Sequence, residues 1–369
     1  MKTLLAAGLM LAGLVSSPAA VSAQPTCTLP TEHLISWPTN SPIWQMCWVR
    51  PNSSSGARRS GLEIRNVYYN GHLVLKRAHT PITNVIYEGG NCGGAGHCYR
   101  DQTIEQAYLT DNVCPPPNTG TNCGYAEPTC PPITVCDMPT GTDVCTIGQP
   151  PPPPNPCGQS CFSGVSAQKL LDRLVLTTQI RAGWYRYDMK WTFYPDGRIE
   201  PFFGFAAVFD PCTNFTHRHN VYWRLDFDLD GADRDEVFEG PRGVGKGKIR
   251  TEAMRLNTDP SMYWEITDRI TNRGYRIVPG DEIAQTPADA FAVGDFWVLK
   301  YKPEELDDNG QPGPACAIKI NNYLNGETLD DDLVVWYRGG VRHLGRDLDH
   351  CHPLGPMLVP IGDWSPGAP

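Results

Sequence analysis

The sequence predicts an all-β protein, a large antiparallel β-sandwich, on three observations. Apolar and polar residues alternate with period two over long stretches, as in Val221 to Asp230, the mark of a strand with one face in a core. Turn signals such as Asn70-Gly71 and Pro195-Asp196-Gly197 separate those stretches. Helical periodicity is weak, with Thr286 to Val293 the best short helix. Long β-rich stretches without crossover helices pack as antiparallel sheets. There is no internal repeat.

Residues 1–23 read as a signal peptide. Lys2 gives a positive start, Leu4 to Val15 is an apolar run too short to span a bilayer, and Val21-Ser22-Ala23 supplies small residues at the cleavage positions. No later apolar run reaches transmembrane length. The mature chain is therefore expected to begin at Gln24 and to be secreted or periplasmic, without a membrane partner. The 369 residues carry a net charge of -9, which argues against nucleic acid, since a chain of this sign has no excess cations to displace phosphate counterions.

Residues 24 to 111 are mixed in composition. Leu62 to Tyr69 and Leu73 to Arg77 read as strands flanking Asn70-Gly71. Residues 112–165 are rich in Cys, Pro, Gly and Thr and read as a disulfide-tied insertion with no core of its own. All 14 cysteines follow the signal segment, and seven crowd between Cys114 and Cys161 without a repeated C-x2-C pair. An even count in an oxidising compartment predicts disulfides rather than zinc. Asn52-Ser53-Ser54 and Asn214-Phe215-Thr216 are glycosylation sequons, of consequence only in a eukaryote. Residues 166 to 363 return to globular composition, with strands at Tyr185 to Tyr194, Arg198 to Phe205, Val221 to Leu229, Phe296 to Tyr301 and Leu333 to Tyr337. Residues 24–369 are expected to form a single domain around the insertion.

Three features carry chemistry. Thr216-His217-Arg218-His219 places two imidazoles two residues apart, so on one face of a strand they can chelate one ion. The plain alternative is two polar residues at an exposed strand start. His350 and His352 form a second such pair, and His343 lies just before them, at the end of a strand from Leu333 or in its turn. Such a set suits copper or zinc. Asp226, Asp228 and Asp230 read as carboxylates on one side of a strand, a calcium-type array or a solvated face. Gly183-Trp184-Tyr185-Arg186-Tyr187 reads first as an aromatic core strand.

In order along the chain, these motifs resemble the catalytic domain of the topaquinone-containing copper amine oxidases. Gly183 to Tyr187 with Trp191 and Asp196-Gly197 is similar to the family's Gly-Asn-Tyr-Asp/Glu-Tyr strand, tryptophan and turn. His217-Arg218-His219 and Arg224 to Gly231 resemble its His-x-His and Arg-x-Asp-x-Asp-x-Asp-Gly strand. Asp332 to Tyr337, Gly340, His343 and Met357 to Pro360 resemble its closing segments, and Gly61 to Val67 with Leu75 to Ala78 an upstream one. The resemblance spans roughly residues 58 to 110 and 175 to 363.

The resemblance implies a sandwich of that catalytic-domain type. It implies His217, His219 and His343 as copper ligands, which demotes His350 and His352. It implies Tyr185 as the precursor of the topaquinone cofactor and Glu105, at the end of Tyr99 to Glu105, as the catalytic base. It implies Asp226, Asp228 and Asp332, with the carbonyls of Phe227 and Leu333, as a second, calcium-type site. Its partners would be a small primary amine and dioxygen, with aldehyde, ammonia and hydrogen peroxide as products, and the family implies a homodimer. The sequence departs from the family at Trp184 for asparagine, Arg186 for an acid and Glu105 for aspartate. A secreted copper-binding relative without oxidase activity and a three-histidine zinc hydrolase or hydratase are the alternatives.

Overall fold

The computed structural model describes residues 25–57, 59–89, 97–101, 165–182, 185–207, 215–241, 245–280, 294–307, 320–343 and 354–366. The expected signal segment, all of the expected insertion but its last residue, Glu105, Trp184, the stretch read as a short helix (Thr286 to Val293), His350 and His352 lie outside them.

Among the described residues eighteen strands run in chain order: β1 (Glu32–Trp37), β2 (Trp44–Val49), β3 (Glu63–Tyr69), β4 (His72–Tyr87), β5 (His97–Asp101), β6 (Val165–Lys169), β7 (Leu174–Ala182), β8 (Tyr185–Phe193), β9 (Ile199–Ala207), β10 (His217–Phe227), β11 (Asp235–Gly240), β12 (Gly247–Ile249), β13 (Ala253–Arg255), β14 (Tyr263–Asp268), β15 (Gly274–Val278), β16 (Phe296–Lys300), β17 (Leu333–His343) and β18 (Met357–Ile361). Among the described residues the one α-helix is a single turn, α1 (Ile320–Tyr323), so none is long enough to cross a membrane. The strands form two nine-stranded antiparallel sheets. The first has the order β1-β2-β3-β4-β10-β17-β16-β13, with β5 added beside β4, and the second β12-β11-β14-β15-β18-β9-β8-β7-β6. The predicted antiparallel sandwich is thus the observed fold.

Turn chemistry sets the hairpins. Asn70 and Gly71 have φ of 51° and 87°, the doubly left-handed pair that closes a two-residue turn with the twist of its strands. β4 then runs for 16 residues, well past the predicted Arg77, because β5 replaces β3 as its neighbour from Thr83 on. Between the sheets lies an aromatic core that includes Trp44, Trp191, Trp223 and Trp264. Trp191 Nε1 donates to the Leu62 carbonyl at 3.1 Å and Trp44 Nε1 to that of Tyr194 at 2.8 Å, so both indoles bury their area with the N–H satisfied. Burying a side chain of this size contributes about 2–3 kcal/mol.

β10 departs from its half-buried reading: both faces are covered. Val221, Trp223, Leu225 and Phe227 enter the core between the sheets, while Tyr222 packs with Ile82, Trp297 and Trp336 in a second cluster on the outer face of the first sheet. The period-two pattern located the inner face correctly. The outer face holds Arg224 and Asp226, polar residues whose burial follows from the layer above them. β17 also runs longer than Tyr337. It continues through Gly339 and Gly340, paired with Val221 and Asn220. A Cβ on Gly340 would lie 2.3 Å from the Arg338 guanidinium, which bonds Asn220 Oδ1 at 2.9 Å and pairs with buried Asp295. The glycine leaves room for that buried arginine and so carries the strand on to His343.

Cys27 and Cys47 form a disulfide that ties the segment before β1 to β2, and Cys98 is disulfide-bonded too. These cysteines bear out the disulfide reading for the described residues.

Candidate metal centre

β10 and β17 form one antiparallel pair, and chemistry collects at both of its ends. At one end His217 begins β10, and its cross-strand partner is His343, the last residue of β17. His219 shares the face of His217 and points with it between the sheets. The side chains are 0%, 0% and 6% exposed, which rules out two polar residues at an open strand start. The ring of His217 lies 5.1 Å from that of His219 and 5.0 Å from that of His343, centroid to centroid. Imidazoles sharing one ion through nitrogens about 2.0 Å from it have centroids about 4.5–5.2 Å apart at bond angles near 90–110°. His217 therefore stands at that spacing from each of the other two rings, and the neutral nitrogen donors suit copper or zinc.

Neighbouring groups orient these rings. His217 Nδ1 donates to the Phe215 carbonyl at 2.7 Å, since a carbonyl only accepts, and this leaves Nε2 as the ligand atom of the neutral ring. The Tyr187 hydroxyl stands 3.5 Å from His219 Nδ1, and Tyr87 packs against His217 with ring centroids 5.4 Å apart. Both tyrosines are buried. Tyr187 was missed as a neighbour of the site because the sequence marks it only as part of an aromatic strand. It lies on β8, in the opposite sheet, whose first residue is Tyr185, paired in register with Ala182 and Ala207. For Tyr185 and Arg186 only the backbone is described, and Glu105 lies outside the described residues.

At the other end of the pair, carboxylate oxygens of Asp226, Asp228 and Asp332 all lie within 4.8 Å of one another. Asp226 is the penultimate residue of β10, and Asp332 directly precedes β17. Buried oxygens of Asp228, Asp332 and Asp235 find no hydrogen-bond partner. Burial, then the Asp226 charge, pushes the Asp228 carboxyl up to about 7. Burial, then Asp226 and Asp228, pushes Asp332 up to about 8. Burial pushes Asp235 to about 8 as well, against a hydrogen bond from the Leu229 N–H and with Asp228, Asp268 and Asp332 adding to the rise. Arg224 offsets part of this charge, through Nη1 to Asp226 Oδ2 at 3.2 Å. Converging, poorly solvated carboxylates of this kind fit a hard cation with oxygen ligands.

The structure corrects one member of the acidic ladder. Asp230 does not stay beside Asp226 and Asp228. The strand ends at Phe227, Asp230 takes a φ of 57°, and its carboxylate bonds Arg273 at 2.5 Å, His72 at 3.2 Å and the Leu73 N–H at 3.2 Å. Asp332 holds the third position. Asp235 was not singled out from the sequence, since it opens another strand and no local spacing links it to Asp228.

No protein-family model matches the sequence. Over 184 residues the chain is 26% identical to a primary amine oxidase and to a copper methylamine oxidase, both of Arthrobacter sp. (strain P1); the match covers 40% of this chain and 28% of theirs. Among solved structures, a copper-containing benzylamine oxidase from Hansenula polymorpha superposes with a TM-score of 0.57 at 16% identity, covering 94% of this chain and 64% of the other. The Aspergillus nidulans amine oxidase superposes with a TM-score of 0.59 at 14% identity, covering 94% and 55%. The chain thus spans about half to two thirds of these structures, and shares their fold. The chain is thus similar to copper amine oxidases in sequence over 184 residues, carries its motifs in the order of that family, and shares the fold of the solved amine oxidases.

Proposed function

We propose that the protein is a copper- and topaquinone-dependent oxidase of primary amines, turning R-CH2-NH2, dioxygen and water into an aldehyde, ammonia and hydrogen peroxide. The observation that carries this reading is the buried trihistidine cluster facing the strand that bears Tyr185. His217, His219 and His343 would hold copper. Tyr185 would be the quinone precursor, as the resemblance to the family implies; it opens β8, the strand whose Tyr187 meets His219. Bound copper would supply, with dioxygen, the oxidation of that tyrosine to a quinone, and the quinone would supply the electron sink for amine oxidation.

The chain's own groups do the rest. The Phe215 carbonyl fixes the tautomer of His217, and the hydroxyl of Tyr187 faces His219. The aromatic core between the sheets excludes water from the imidazoles. Glu105 would take the proton from the substrate carbon. Asp226, Asp228 and Asp332 would hold a calcium-type ion about 30 Å from the histidines, at about 3.4 Å per strand residue, a distance that makes it structural rather than reactive. The disulfide Cys27–Cys47 supports an oxidising compartment, and hence export.

The test is reconstitution. The chain is expressed without copper, Cu(II) is added in air, and a quinone chromophore reactive with phenylhydrazine is expected, absent from Tyr185→Phe. Copper binding without colour would leave a copper-binding relative that has lost the oxidase. Trp184 and Arg186 favour that second reading, standing where the family has asparagine and an acid beside the cofactor tyrosine. Tight zinc with no preference for copper would sink both.

A further inference from the structure

The histidine pair His217 and His343 is the last rung of the β10–β17 ladder. A terminal rung is where paired strands fray, because one side of the ladder lacks a neighbour to hold it. The next rung makes matters worse. Arg218 pairs directly with Arg342, on the sheet face opposite the imidazoles. Like charges directly opposite on an antiparallel pair repel and destabilise it. Left alone, two arginines would push apart the strands that carry two of the three histidines.

One carboxylate reverses that. Glu88 follows the last residue of β4, and its N–H donates to the Thr216 carbonyl at 2.8 Å. Its side chain receives Arg342 as a fork, Nε to Oε1 at 2.6 Å and Nη2 to Oε2 at 2.5 Å, and Arg218 Nε to Oε1 at 3.3 Å. Arg342, then Arg218, hold the Glu88 carboxyl below the usual range despite some desolvation, so it stays ionised at neutral pH. A two-pronged arginine–carboxylate contact fixes direction as well as distance. Glu88 thus joins β4, β10 and β17 beside the rung on which the ligands sit.

We propose that Glu88 is a positioning residue for the trihistidine centre, clamping Arg218 and Arg342 so that His217 and His343 keep the separation one metal ion requires. The clamp acts through the backbone and touches neither metal nor substrate. It rests on the reading of the cluster as a metal site, and each element of it is visible in sequence only as three scattered charges.

The experiment compares wild type, Glu88→Gln, Glu88→Asp and the double variant Glu88→Gln/Arg342→Gln. Each is loaded with Cu(II), and copper release to a chelator is timed. Copper EPR hyperfine values and amide exchange of residues 216–219 and 341–343 in the metal-free protein are also recorded. Glu88→Gln should release copper about fivefold faster, the weight of one exposed bidentate ion pair, with shifted hyperfine values and faster exchange confined to the rung. Glu88→Asp, which keeps the charge but shortens the reach, should fall between, and it preserves the test if Glu88→Gln does not fold. The double variant should recover most of the loss, because it removes the repulsion the clamp opposes. Unchanged release and EPR in Glu88→Gln would overturn the proposal, as would a lower melting temperature with no change at the copper. If wild type takes up no copper on nitrogen ligands, the metal reading fails, and amide exchange alone then decides whether Glu88 holds the rung.

Discussion

The two ends of the β10–β17 pair share their strands and differ in almost everything else. At the His217 end the donors are neutral rings, at most 6% exposed, set among Tyr87 and Tyr187 between the sheets. At the Asp226 end they are carboxylates on the outer side, with Asp228 and Asp332 only partly covered. Alternation explains how one strand does both: odd residues of β10 face the core and even ones the outer layer, so His217 and Asp226, nine residues apart, point to opposite faces. The difference teaches what burial does to each donor. Imidazole can be buried neutral and wait for a metal without electrostatic penalty. Buried carboxylates cannot, and burial together with their mutual repulsion pushes Asp228, Asp332 and Asp235 up.

The widest break between the ends would come from crossing them. His343→Ala is expected to weaken copper binding by more than about 100-fold, beyond the loss from removing a group that only hydrogen-bonds a metal ligand, and to leave terbium or calcium binding at the carboxylates unchanged. Asp228→Asn should do the reverse. Isothermal calorimetry with each ion on each variant checks both. Loss of terbium binding in His343→Ala would mean that the shared strands couple the ends, and the contrast would fail.

A smaller effect separates them by pH in the absence of metal. The three acids carry folded values of about 7 and about 8, above the unfolded carboxylate value of 3.8, so the folded state holds more protons between those limits. Stability from this end is complete below pH about 4 and is lost as pH rises through about 7–8. Chelator-treated protein should therefore melt several degrees lower at pH 8.5 than at pH 5. Asp228→Asn should flatten that slope and raise the melting point at pH 8.5, and added calcium should reverse it. A metal-free protein that gains stability from pH 5 to 8.5 would refute the assignment of strain to these groups.

How far the sequence reached differs between the ends in the same way. The His-x-His spacing, the two-residue turn at Asn70-Gly71 and the inner face of β10 are local patterns, legible from period two and turn chemistry. The bare spacing left His343 one of several third ligands, and family order chose it; the structure seats it on the rung of His217 because β17 continues past Gly340. What was not legible depends on contacts distant in sequence. Asp230 leaves the ladder for Arg273, 43 residues on, and Asp235 joins the acids from a separate strand. The burial of Arg224 and Asp226 follows from a second hydrophobic layer, with Tyr222 and Trp336, that the alternation of one strand cannot announce.

The finest distinction concerns Tyr187. If the histidine end is organised by surrounding dry aromatic packing, as the carboxylate end is organised by charge, the hydroxyl of Tyr187 should matter less than its ring. The contact to His219 Nδ1 at 3.5 Å is long for a hydrogen bond, and the ring itself packs against Phe203 with centroids 4.8 Å apart. Tyr187→Phe keeps that packing, and copper affinity is expected to fall no more than about threefold, the low end of a hydrogen bond's net worth. Tyr187→Ala opens a cavity beside His219 and should lower both stability and affinity, with a loss of about 3–5 kcal/mol in folding. Chemical denaturation and copper competition on the two variants check the order. An equal loss of affinity in both would show that the hydroxyl orients His219, and the histidine end would then depend on a directed polar contact as much as the carboxylate end does.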